Sequence, residues 1–192
     1  MLALLAAVLI LRIPETGRSA SEGSDPVALI HRGVLRPGLA LCAGVGAAAG
    51  FLALVGLRAV EIGLSVWSAV PMVYGGVVVG CRLAFARLLD RLPPLRLAGA
   101  SLAACTIGLV ILAGAPGVPG LFGGAAVLAV GVSFLTPAIF SAVFAAVPAH
   151  ERGAAAGTAT VFIDLGLGGG PCSWASSPLA AVYLLPSSAR LH

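Results

Sequence analysis

The chain has 192 residues, of which 59% are hydrophobic and only 9% charged, with a formal net charge of +4. Soluble domains carry about 25% charged residues, so this composition, with a mean hydropathy of +1.09, cannot furnish a water-facing surface. It excludes a cytosolic globule, a disordered tail and a nucleic-acid binder, and it predicts an all-α integral membrane protein.

A spanning helix needs roughly 20 apolar residues, which allows five or six spans here. Met1–Leu11 is apolar but too short to cross. Its charges, Arg12 and Arg18, follow it, the reverse of a signal peptide. It reads as the end of a helix that begins before this chain. Residues 12–36 are polar and turn-rich and predict a loop. The uncharged run Pro37–Leu57, ended by Arg58, predicts the first full span, and Ile62–Cys81, ended by Arg82, the second. From Leu97 to His150 there is no Arg, Lys, Asp or Glu, and the turn Ala115–Gly120 (APGVPG) divides this stretch. The division predicts helices over 97–114 and 120–147, the second kinked at Pro137. After a short loop, His150–Gly153, a last helix begins at Ala154 and runs to about Pro171. Beyond it, residues 172–192 are rich in Ser and Pro and the pattern is lost.

Arginine placement gives these spans a direction. All eleven basic residues are Arg. Alternating helices put Arg12, Arg18, Arg32, Arg36, Arg82, Arg87, Arg91, Arg96 and Arg152 on one side and Arg58 on the other, with Arg190 in the unassigned tail. The Arg-rich side is therefore expected to be cytoplasmic. The same asymmetry accounts for most of the net charge without a nucleic-acid partner.

Glycines four apart lie on one helix face: Gly46 and Gly50, Gly76 and Gly80, Gly120 and Gly124, Gly153 and Gly157. Small residues let helix backbones approach closely in lipid, so these pairs, with Gly166, are expected at helix contacts. Cys42, Cys81, Cys105 and Cys172 lack metal-site or disulfide spacing, and three of them lie in apolar runs, where Cys acts as a small hydrophobe. Arg58 and Glu61 are spaced for a surface ion pair. His31 and His150 read as loop residues and Trp67 as an interfacial anchor. Tyr74 and Phe140 are candidates for lining a cavity, although lipid or helix contact is commoner.

Asp164 is the one acidic or basic residue expected well inside a span. About ten residues into its helix, at roughly 1.5 Å per residue, it falls near mid-bilayer. An intramembrane carboxylate is by default a functional candidate, here for carrying a coupling proton or contacting substrate. The competing reading is a structural hydrogen bond to a neighbouring helix. No nucleophile with a base and no cluster of ligands is apparent, and no phosphate-binding glycine loop. No catalytic residue, metal site or cofactor is expected, and the chain does not read as an enzyme.

Several stretches then point the same way. The loop Ala86-Arg87-Leu88-Leu89-Asp90-Arg91-Leu92 resembles the Gly-Arg-Leu-Ala-Asp-Arg-Leu-Gly motif of the major facilitator superfamily. The matching copy lies between that fold's eighth and ninth helices, and here Ala86 and Pro93 replace the two glycines. Phe134-Leu-Thr-Pro137-Ala, followed by Val147-Pro148-Ala-His-Glu151-Arg152-Gly153, resembles the tenth helix and its exit loop. Asp164-Leu-Gly166-Leu-Gly168-Gly-Gly-Pro171 resembles the eleventh helix of efflux members. Arg12-Ile-Pro-Glu-Thr-Gly-Arg18 resembles the end of the sixth helix and the start of the central loop.

The resemblance covers residues 1–171 in order and implies part of a six-helix half-bundle with about five transmembrane helices. Residues 1–36 would hold the end of a preceding helix and the cytoplasmic central loop, 37–171 the helical bundle, and 172–192 an atypical tail from truncation or a frame shift. The implied function is secondary transport, as proton-coupled efflux of a small organic molecule across the plasma membrane. Its partners are the lipid bilayer, the substrate and protons, and an N-terminal half absent from this chain. The alternative is a truncated membrane protein that does not transport.

Overall fold

The computed structural model describes residues 32–64, 66, 68–89, 92–115 and 117–176. Among them a 3₁₀ turn at Arg32–Val34 precedes α1 (Leu35–Glu61), α2 (Ala69–Leu89), α3 (Pro94–Gly114), α4 (Gly117–Ala146) and α5 (Arg152–Ala175). No strand occurs among these residues, so the chain is all-α as its composition requires. Residues 1–31 (with His31 and the Arg12–Arg18 stretch), Trp67, Asp90, Arg91 and the tail from 177 onward lie outside the described residues. Of Arg87 and Glu61 only the backbone is described.

Helix ends differ from the hydropathy breaks for a definable reason. Arg58 ends an apolar run but not a helix, because Arg is a good helix former. Instead α1 continues to Glu61 and is closed by Gly63, whose φ of +72° is a left-handed conformation that glycine adopts without penalty. The amide of Leu64 donates to the Ala59 carbonyl at 2.9 Å and that of Gly63 to Val60 at 3.0 Å, a Schellman closure. Consequently α2 starts at Ala69 rather than Ile62, with Pro71 in its first turn, where its missing N–H costs nothing. It then runs on through Arg82 to Leu89, into the stretch read as a loop. Likewise α4 starts at Gly117, and α5 passes Pro171 and ends at Ala175.

Among the described residues, α1 over Leu35–Val60, α3 and α4 are long and apolar enough to cross a membrane. A shorter apolar stretch, Ala69–Phe85, belongs to α2. Large apolar side chains also cover much of the exterior: Met72, Leu83 and Leu95 are 81%, 78% and 76% exposed. Such a surface is stable only in a bilayer, where acyl chains take the place of water.

At the centre stands α4, which touches every other helix, most extensively α3. The α3–α4 contact is an antiparallel hairpin built on glycine. A Cβ on Gly108 would lie 2.7 Å from the Leu128 nitrogen, and one on Gly131 would lie 2.7 Å from the Ser101 carbonyl oxygen. The second large contact, α1 with α5, is parallel, since Gly38 faces Phe162, Cys42 faces Gly166 and Gly46 faces Gly170.

The buried apolar side chains form two clusters. One holds Phe51 and Val55 of α1, Val70 and Tyr74 of α2, Leu112 of α3 and Leu121 to Ala129 of α4. The other holds Leu41 and Val45 of α1, Ala98 of α3, Leu135 to Val143 of α4, and Ala155 and Ala159 of α5. Thus α2 enters only the first cluster and α5 only the second.

Candidate functional site

Asp164 lies at the middle of the 24-residue α5. The face of α5 turned to α1 carries Phe162, Gly166 and Gly170. Asp164 is two residues from both Phe162 and Gly166, about 200° round the helix, so it points away from α1. It is exposed, and so are Gly157, Thr160, Val161, Leu165 and Gly168 on the same side. Within the described residues its carboxylate has no hydrogen-bond or ion-pair partner. The nearest polar neighbour in sequence register is Thr160, one turn earlier, whose hydroxyl donates to the Ala156 carbonyl at 3.0 Å.

Sequence reasoning passed over Thr160, although its spacing of four from Asp164 was the available signal. The pair makes a short polar stripe on an uncovered apolar face. Such a stripe can exchange a proton or accept a hydrogen bond from a small polar cargo.

The helix-exit residues are not brought together. Pro137 lies inside α4, nine helical residues before Ala146 and so about 14 Å from the exit turn. Glu151, Arg152 and Gly153 sit at the start of α5. There the Glu151 amide donates to the Pro148 carbonyl, and the Glu151 carbonyl accepts from Ala155, each at 3.0 Å. His150 Nε2 lies 3.5 Å from Glu151 Oε1. A carboxylate just ahead of a helix is favoured by the N-terminal dipole, and this turn works as a helix start.

The glycines divide. Gly46 and Gly166 approach each other's backbones, and Gly120 and Gly124 pack against Ala115 and Leu112. Gly50 is buried. At Gly76, Gly80, Gly153 and Gly157 an added Cβ would meet nothing within 4 Å. Tyr74 is buried, with its ring 6.2 Å from that of Phe51, while half-buried Phe140 packs edge-on to Phe144 at 5.8 Å. All four cysteines are free thiols. Arg58 is half-buried in the last turn of α1. Among the described residues no three His, Cys, Asp or Glu side chains gather as a metal site would require.

Among the described residues three Ser and Thr side chains are buried: Ser101, Ser133 and Thr158. Ser101 and Thr158 donate to carbonyls four residues back on their own helices, Leu97 at 2.8 Å and Ala154 at 2.9 Å. Ser133 differs, donating across to the Val78 carbonyl of α2 at 3.2 Å.

Comparison with known proteins agrees with this architecture. The family description Major Facilitator Superfamily matches residues 1–171. Uncharacterized MFS-type transporters of Pseudomonas aeruginosa strains LESB58 and UCBPP-PA14 are each 39% identical over 95 residues. That alignment spans 50% of this chain and 24% of each relative's length. No solved structure matches significantly. With a family match over most of its length and a bundle of long apolar helices, the chain belongs to the major facilitator superfamily and is a multi-pass membrane protein.

Proposed function

We propose that this chain forms part of a secondary transporter that exports a small organic molecule in exchange for protons, with Asp164 as the coupling or cargo-contacting group. The observation that carries this reading is the position of Asp164. It is the sole charged residue between Gly153 and Ala175, it is exposed at mid-helix, and it faces away from α1. A charge at that depth costs roughly 2.5–3.5 kcal/mol on insertion scales, a cost retained where the group works. Transport by this architecture runs between two helical halves around a midplane site. In this reading α1–α5 supply one wall and a second half supplies the other, in the plasma membrane. The transporter names of the matched relatives support transport over an inert membrane protein.

The test is gradient dissipation in liposomes by the full-length transporter containing this segment. An internal pH dye reads the response to a panel of small organic cations and amphiphiles. Asp164→Asn is expected to abolish the proton response while leaving the protein folded, and Asp164→Glu to retain much of it. An undiminished proton response in Asp164→Asn removes Asp164 from the mechanism.

A further inference from the structure

We infer that Ser133 and Pro137 form a latched joint in α4, with the Ser133 hydroxyl as the latch onto α2. The inference does not depend on the transport reading. Pro137 lies inside the helix and has no N–H, so the Ser133 carbonyl, four residues back, loses the backbone bond it would otherwise accept. A helix is weakest in bending where such a bond is missing. The same residue then departs from the behaviour of buried Ser101 and Thr158. Ser133 is 0% exposed, and its Oγ donates to the Val78 carbonyl of α2 rather than to its own helix. The Val78 oxygen has a second lone pair for this bond besides the one used within α2.

The joint also falls on the boundary between the two apolar clusters. Up to Phe134, whose ring meets that of Phe85 of α2 edge-on at 5.9 Å, α4 packs with α2; from Leu135 onward it shares a cluster with α5. A bend between these residues moves the α5 side relative to the α2 side, with α1 and α3, which contribute to both clusters, yielding at the same level. At the same level α1 passes mostly on small residues, Gly44 and Gly46 to Gly50 with Val45 between them, and the Leu135 side chain is seated against Gly44. On the α1 side a bend therefore meets little side-chain bulk. One interhelical hydrogen bond in a membrane shifts an equilibrium about threefold on average. That suits a latch that opens and recloses rather than a permanent clamp.

Hydrogen–deuterium exchange of the full chain in lipid nanodiscs tests this. Ser133→Ala is expected to speed exchange roughly threefold at the amides of residues 134–136 and 138–141 of α4 and 79–82 of α2. Ser133→Thr, which keeps the hydroxyl, should stay near wild type. Pro137→Ala, which restores the backbone donor, should slow exchange over 134–141 and remove most of the effect of Ser133→Ala. Unchanged exchange in Ser133→Ala overturns the inference, as does an equal effect with Ala or Pro at 137. Should Ser133→Ala not fold, Pro137→Ala alone decides: slowed exchange supports the joint and unchanged exchange overturns it.

Discussion

Gly46 and Gly166 meet across the α1–α5 contact backbone to backbone. A Cβ on Gly166 would lie 3.2 Å from the Gly46 nitrogen and 2.7 Å from the Cys42 carbonyl oxygen. In lipid, helices gain nothing from excluding water, so close packing of this kind is what holds them together. A methyl at Gly166 must push two helices apart. We expect Gly166→Ala to cost about 1–3 kcal/mol, as overpacking does. Gly168→Ala, with nothing within 4 Å, should change stability by less than about 0.5 kcal/mol. Thermal unfolding in detergent separates the two, and equal effects would deny the contact.

Leu135 is fully buried and Met72 is 81% exposed, yet both are large residues in apolar helices. Leu135→Ala leaves a void that lipid cannot reach and should cost about 2 kcal/mol, the low end for buried truncations. Met72→Ala exchanges one lipid contact for another and should be close to neutral. Chemical unfolding midpoints in the same detergent check both.

Asp164 opposes the insertion of its own helix. Replacing it by Leu should improve membrane insertion of α5 by about 3 kcal/mol, read as the inserted fraction in a translocon assay. The gain should accompany loss of proton response in the full transporter, in keeping with the proposed coupling role of Asp164. Retained proton response in Asp164→Leu would count against its proposed role.

The arginine asymmetry predicts which helix ends face the cytoplasm. In a background without the four native thiols, Val118→Cys should react with an impermeant maleimide from outside the cell. Ala149→Cys should react only after the inner face is opened. Both positions are exposed, at opposite ends of α4. Reversed labelling would invert the orientation.

Some of this molecule was readable without coordinates. The spans over 97–114 and 120–147 correspond closely to α3 and α4, because proline and glycine at 115–120 mark the turn and no charge interrupts either run. The second span was misplaced, since apolar runs end where charge begins while helices end where hydrogen bonding does. Gly63 closes α1 and Pro71 opens α2, both inside a stretch that hydropathy alone reads as continuous. The glycine pairs show the same limit. Spacing of four puts Gly46 and Gly76 on equal terms, and only the neighbours present at each distinguish a packed glycine from an open one.

The sequence by itself determined the class and the family of this protein and set the expectation for its direction. Those follow from composition, arginine count and local motif order, which are properties of the chain taken segment by segment. Tertiary structure alone decided that α1 pairs with α5 and that α4 stands at the centre. It also decided that Asp164 faces away from α1 and that Ser133 reaches α2. Each depends on which faces of distant segments meet, and in an apolar chain nearly every face is equally apolar. With no hydrophobic contrast to orient the helices, shape and a few polar atoms settle the arrangement.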